Sequence, residues 1–169
     1  MNENAPIRRA APKDIYRLAE IEVFNYRLNF YPIFRNDDYY FSELRTDALA
    51  RDYLERPEWL RQTFVYADPA VKGFIRVNGN QIEKLFVEPV LQGRGIGVQL
   101  LDHAVHLCGA SCLWALEKNE RALGFYARHG FAPTGERKPE EGTAEFLIRL
   151  ERQAIQSAFS AFSNTSAND

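Results

Sequence analysis

Apolar positions along this chain change period several times, and the changes lay out its elements. Ile7-Arg8-Arg9-Ala10 reads as a short first strand, and Pro12-Lys13-Asp14 leads into a helix with a face at Ile15, Leu18, Ala19, Val23 and Tyr26. Residues 24–41 are dense in rings: Phe24, Tyr26, Phe30, Tyr31, Phe34, Tyr39, Tyr40 and Phe41. Pro32 and Asn36-Asp37-Asp38 interrupt that stretch, which predicts a turn or loop between two helices. The second helix is expected over Ser42 to Leu54, ending before Pro57.

The period then becomes that of strands. Thr63 to Ala67 and Val71 to Val77 flank an Asp68-Pro69 turn, and Asn78-Gly79 signals a tight hairpin into a strand from Ile82 that Pro89 stops. Val98, Leu101, Ala104, Val105 and Cys108 mark a helix face, and Ser111 to Leu116 is a short apolar strand. Asn119 is a good N-cap for a helix carrying Ala122, Phe125, Tyr126 and His129 on one side, with Gly130 closing it. Two further strands fall near 131–137 and 144–150. Antiparallel strands followed by strand–helix–strand units predict an α+β fold on a mixed sheet. Ile155, Ala158, Phe159 and Phe162 have helical spacing, so a short terminal helix is expected in the tail.

Composition narrows the class. With 169 residues there is room for one good core, and 46% apolar content excludes disorder throughout. Basic and acidic residues nearly cancel to −2, which argues against nucleic acid or an anionic membrane as partner. No apolar run approaches a membrane span and Met1-Asn2-Glu3-Asn4 has no signal-peptide character, so a cytoplasmic location is expected. Cys108 and Cys112 read as reduced thiols, and their spacing without further ligands predicts no metal site. His103, His106 and His129 read as partly exposed helix residues.

The segment with distinctive chemistry is Gln92-Gly93-Arg94-Gly95-Ile96-Gly97, between the proline-stopped strand and the next helix. A turn of this kind presents backbone N–H groups at the positive end of a helix dipole, which suits an anion such as a pyrophosphate. A P-loop would need Gly-Lys-Ser/Thr, whereas Gly97 is followed by Val98-Gln99. A dinucleotide fold would need G-x-G-x-x-G in its first unit, whereas Gly93-x-Gly95-x-Gly97 lies in mid-chain.

Gln92-x-x-Gly95-x-Gly97 after a strand ending Val87-x-Pro89 resembles the loop of the GNAT superfamily of acetyl-coenzyme A-dependent N-acetyltransferases. Asn119-x-x-Ala122-x-x-Phe125-Tyr126, followed by Gly130-Phe131, resembles that family's companion motif. The resemblance implies a three-layer α/β/α sandwich over residues 6–151: a mixed, mostly antiparallel central sheet with helices on both faces, followed by a tail over 152–169. It implies acetyl-CoA as co-substrate, with the pyrophosphate on the Gln92, Gly93, Arg94, Gly95, Ile96 and Gly97 turn. Gln92 and Arg94 are equally consistent with solvated polar residues. The pantetheine arm would lie along the strand end at Phe86 and Val87, with the Val87 N–H as donor to the thioester oxygen, and Asn119 would touch the same arm. Tyr126 matches the family tyrosine that protonates the departing thiolate.

Glu83 is the candidate base. Period-two alternation places it with Leu85 and Val87, and an apolar setting would suit a base near neutral pH; a structural ion pair is the other reading. The acceptor side would fall to the ring-rich stretch with Asp37, Asp38, Glu43, Glu140 and Glu141, a setting for a small amine or a peptide lysine. The implied function is direct acetyl transfer to a primary amine in a ternary complex. A non-catalytic acyl-CoA-binding sensor or scaffold on the same fold is the alternative, and a homodimer is an open expectation.

Overall fold

The computed structural model describes residues 6–153, so the helical spacing at 155–162 lies outside them. Among the described residues the strands are β1 (Ile7–Arg9), β2 (Thr63–Ala67), β3 (Val71–Asn78), β4 (Gln81–Val87), β5 (Cys112–Leu116), β6 (Phe131–Pro139) and β7 (Phe146–Arg152). They form one sheet in the order β1-β2-β3-β4-β5-β7-β6, parallel only where β4 meets β5.

Helices cover both faces. On one, Ile15, Leu18 and Ile21 of α1 (Ile15–Asn25) pack with Ala50 and Tyr53 of α3 (Thr46–Glu55) against Val65 and Phe74. On the other, Ile96, Leu100, Leu101 and Ala104 of α5 (Ile96–Cys108) and Tyr126 of α6 (Glu120–Arg128) pack against Ile75, Val77, Ile82 and Leu113. Leu18, Ile21 and Leu100 lose all solvent contact, which contributes roughly 2 kcal/mol for each side chain. On α5 the buried residues are Ile96, Leu100, Leu101 and Ala104; Val105 and Cys108 pack against the same core half-buried, and Val98 lies outside that cluster.

The ring-rich stretch is more helical than expected. A π-helical turn (Tyr26–Phe30) continues α1 into the short α2 (Tyr31–Phe34), and a second π-helical turn (Tyr39–Glu43) precedes α3. Pro32 sits in the first turn of α2, where its fixed φ suits the helix. Pro57 likewise opens α4 (Pro57–Arg61) instead of only ending the helix before it.

Two irregularities shape the sheet's centre. β4 and β5 pair only at Gln81 with Cys112 and Ile82 with Leu113, then diverge. In the β3–β4 ladder Lys84 faces Arg76 while Ile82 faces Val77, so Glu83 is the extra residue of a β-bulge.

Candidate active site

The gap between the diverging strands opens into a cleft of about 1290 Å³. Its walls include β4 from Ile82 to Val87, β5 from Leu113 to Leu116, the glycine turn, the inner side of α6, the rings after α1 and the hairpin at Glu140–Glu145.

The turn is built for close approach. Gly93 and Gly95 have φ of 78° and 81°, and a Cβ added at either would meet no heavy atom within 4 Å. Their outer side is therefore open, and Gly95 caps α5 with its own backbone. Gly97 lies within the first turn of α5, packed toward Phe125 and Val87. Ile96 turns its side chain into the core, leaving only its backbone for a ligand. Arg94 is exposed and pairs with no carboxylate among the described residues. Gln92 turns inward, donating to Asn25 Oδ1 at 3.1 Å and to the Val87 carbonyl at 3.2 Å.

At the end of β4, Glu88 N–H donates to the Lys72 carbonyl at 2.8 Å. Strand alternation then turns the N–H of Val87 the other way, toward the edge from which β5 has diverged. The side chain of Phe86 packs edge-on to Tyr26 and Phe30 with centroids 5.6 and 6.2 Å away, which joins this strand end to the ring-rich wall.

Across the gap, Asn119 caps α6 by accepting Ala122 N–H at 3.1 Å, and it also lines the cleft. Tyr126 is 8% exposed and stands edge-on to Phe125 and Phe131. Its hydroxyl has no hydrogen-bond partner among the described residues, and burial pushes the phenol above its ordinary range. It stays protonated near neutral pH with its donor uncommitted. Arg121 and Arg128 of α6 line the same wall without ion pairs among the described residues, a pair of cations the motifs did not flag.

Glu83 is placed differently from expectation. The bulge removes it from the face of Leu85 and Val87. Its Oε2 accepts Arg76 Nε at 3.0 Å and its Oε1 accepts Asn78 Nδ2 at 3.0 Å, so both oxygens are engaged. It still lines the cleft, beside Lys84. Lys84 ion-pairs with the fully buried Glu22, whose other oxygen accepts the Tyr53 hydroxyl at 2.9 Å. Burial pushes the Lys84 ammonium down to about 8.

The ring-rich stretch forms one wall of the cleft, and carboxylates line the cleft too. Tyr26, Phe30, Phe34, Tyr39 and Tyr40 line the cleft together with Glu140 and Glu141. Burial first, then Tyr39 and Glu140 nearby, push the Tyr40 phenol up to about 12, and burial with the same neighbours raises Tyr26. Glu145 is bound by Lys118 at 2.9 Å, whereas Glu140 and Glu141 form no ion pair among the described residues. Asp37 is drawn off by the Tyr31 hydroxyl at 2.7 Å, and neither it, Asp38 nor Glu43 lines the cleft.

Elsewhere, Cys108 and Cys112 are both free thiols. Among the described residues there is no metal-ligating cluster and no helix long and apolar enough to cross a membrane.

Residues 60–133 match the family model described as an acetyltransferase (GNAT) domain. The chain is similar to the peptidyl-lysine N-acetyltransferase YjaB of Salmonella typhimurium, with 37% identity over 90 residues, 53% of this chain and 60% of that protein. It is 34% identical over 101 residues to the protein of the same name from Escherichia coli, covering 58% of this chain and 67% of that protein. The match thus spans less than two thirds of the Salmonella relative's length. The solution structure of apo-form YjaB from Escherichia coli superposes with a TM-score of 0.68 at 25% identity, over 86% of this chain and 95% of that one. The PaiA N-acetyltransferase of Thermoplasma acidophilum, crystallised in complex with coenzyme A, shares the fold with a TM-score of 0.60 at 19% identity, over 86% of this chain and 97% of that one.

Proposed function

Because this chain belongs to the GNAT superfamily of acetyltransferases, we propose that it moves an acetyl group from acetyl-CoA to the side-chain amine of a peptide lysine. One observation carries the reading. An open glycine turn, a strand edge that pairs with no strand past Ile82 and a tyrosine hydroxyl without a hydrogen bond, both among the described residues, converge on one cleft. Acetyl-CoA supplies the activated acyl group, and these residues fit it. The main-chain donors of Gly93 to Gly97 hold the diphosphate, with the α5 dipole behind them. The Val87 N–H meets the thioester oxygen, and Asn119 borders the pantetheine arm. Tyr126 donates its proton to the departing sulfur.

The acceptor enters from the ring-lined side. An ammonium ion is attracted to aromatic faces and to a carboxylate, and Tyr26, Tyr39, Tyr40 and Glu140 offer both. Relatives named peptidyl-lysine N-acetyltransferases support a lysine as the amine. Glu140, lacking a cationic partner among the described residues, takes up the amine's proton in place of Glu83, which Arg76 and Asn78 hold.

Thiol release from acetyl-CoA across a panel of lysine peptides, free lysine, polyamines and aromatic amines tests this. Turnover on lysine peptides above the other amines is expected. Binding of coenzyme A without turnover on any amine would replace the enzyme by an acyl-CoA sensor.

A further inference from the structure

We propose that Asn25 is a positioning residue that clamps the two ends of the segment leading from β4 into the glycine turn. It acts through Gln92 and the Val87 carbonyl, and ties them to the helix that carries the acceptor wall. The kinetic part of this inference rests on reading the cleft as an acetyl-CoA site.

Asn25 is 2% exposed and uses its whole hydrogen-bonding capacity. Its Nδ2 donates to the Ile21 carbonyl at 2.8 Å and to the Val87 carbonyl at 3.0 Å. Its Oδ1 accepts Asn29 Nδ2 at 3.2 Å and Gln92 Nε2 at 3.1 Å. The two main-chain carbonyls can only accept, so the amide has one orientation that satisfies it, leaving the oxygen to Gln92 and Asn29. Gln92 Nε2 also reaches the Val87 carbonyl at 3.2 Å, closing a three-membered ring of contacts between Asn25, Val87 and Gln92.

That ring has consequences at both substrates' sites. Val87 ends β4 and Gln92 opens the turn, with one 3₁₀ turn (Pro89–Leu91) between them. Held at both ends, the segment keeps the Val87 N–H and the Gly93–Gly97 amides in fixed relation. Asn25 is also the last residue of α1, immediately before Tyr26 and the π-helical turn that lines the acceptor side. The glutamine of the glycine motif therefore faces inward to an asparagine 67 positions away in sequence. Losing one member should loosen the turn, and losing both should add little more.

The test uses Asn25→Ala, Asn25→Asp, Gln92→Ala and the Asn25→Ala/Gln92→Ala double variant of the full chain. Amide hydrogen exchange over 86–97 and steady-state kinetics with acetyl-CoA are the readouts. Each single variant is expected to speed exchange in that segment and to raise KM for acetyl-CoA about tenfold, with kcat changed less, and the double variant is expected to match the worse single. Asn25→Asp is expected to behave like Asn25→Ala, since it loses both donors to the carbonyls. Wild-type exchange over 86–97 in a folded variant, or fully additive effects in the double variant, overturns the clamp. Should Asn25→Ala fail to fold, Gln92→Ala alone decides by the same exchange readout. If wild type shows no turnover with acetyl-CoA, exchange still judges the clamp, and only the reading of the cleft fails.

Discussion

Glu83 accepts a hydrogen bond from Arg76 at 3.0 Å across the bulge in β4. Arg76 is buried, lies 4.2 Å from the centroid of the Trp59 ring, and has Nη1 without a partner among the described residues. A guanidinium so placed needs a counter-charge, and Glu83 supplies it.

Removing that charge by Glu83→Ala is expected to lower stability by about 3 kcal/mol, because a buried cation loses its partner. Glu83→Gln keeps an acceptor for Arg76 and should leave turnover within a few-fold of wild type. Glu140→Gln should lower kcat/KM on a lysine peptide by at least about tenfold. Denaturant unfolding and steady-state kinetics check the three variants. Collapse of turnover in Glu83→Gln with Glu140→Gln unaffected would restore Glu83 as the base.

Tyr126→Phe removes a hydroxyl with no hydrogen bond among the described residues and leaves the ring between Phe125 and Phe131. Stability should hold, KM for acetyl-CoA should hardly move, and kcat should fall about a hundredfold. Because burial keeps the phenol protonated, Tyr126 adds no limb to the pH–rate profile near neutrality. An unchanged kcat removes it from the reaction.

Gly95→Ala places a side chain at φ 81° without a steric clash, since its Cβ would meet open space. Strain alone is expected to cost about 1–2 kcal/mol. Relaxation of the turn should also weaken coenzyme A binding, which calorimetry would measure. Undiminished affinity would separate the turn's conformation from its grip.

Acid sensitivity should trace partly to Asp14. The Arg8 fork meets it at 2.7 and 2.9 Å, and Ala11 N–H adds a third bond, holding its carboxyl below the ordinary value of 3.8. A depressed carboxyl stabilises the fold fully above that value, and the contribution fades as pH falls through the lower folded one. Asp14→Asn should therefore be less stable than wild type at pH 7, with the gap narrowing below 3.8. A gap constant with pH would contradict the assignment.

What the sequence disclosed was local. The glycine turn, the Asn119 cap and the Tyr126 helix are each written within a dozen residues, and each stands where its spacing predicted. The Glu83 face was misjudged because one inserted residue in a ladder reverses alternation, and no side-chain pattern announces a bulge. Pro32 read as a breaker because proline also starts helices, and π-helical turns shift the period on which a helical face is recognised. Asn25 with Gln92, and Glu22 with Lys84, meet only through tertiary packing. Glu140 was one acidic residue among several until the hairpin brought its charge within reach of the Tyr26 and Tyr40 phenols.

The proposed function requires main-chain donors of one glycine turn to hold the carrier of the acyl group. Amide resonances titrated with coenzyme A test it most directly. The largest shifts should fall on Gly93, Gly95, Ile96 and Gly97, with Val87 following when acetyl-CoA replaces coenzyme A. Silence at all five amides under saturating ligand, or shifts confined to another face, would contradict it.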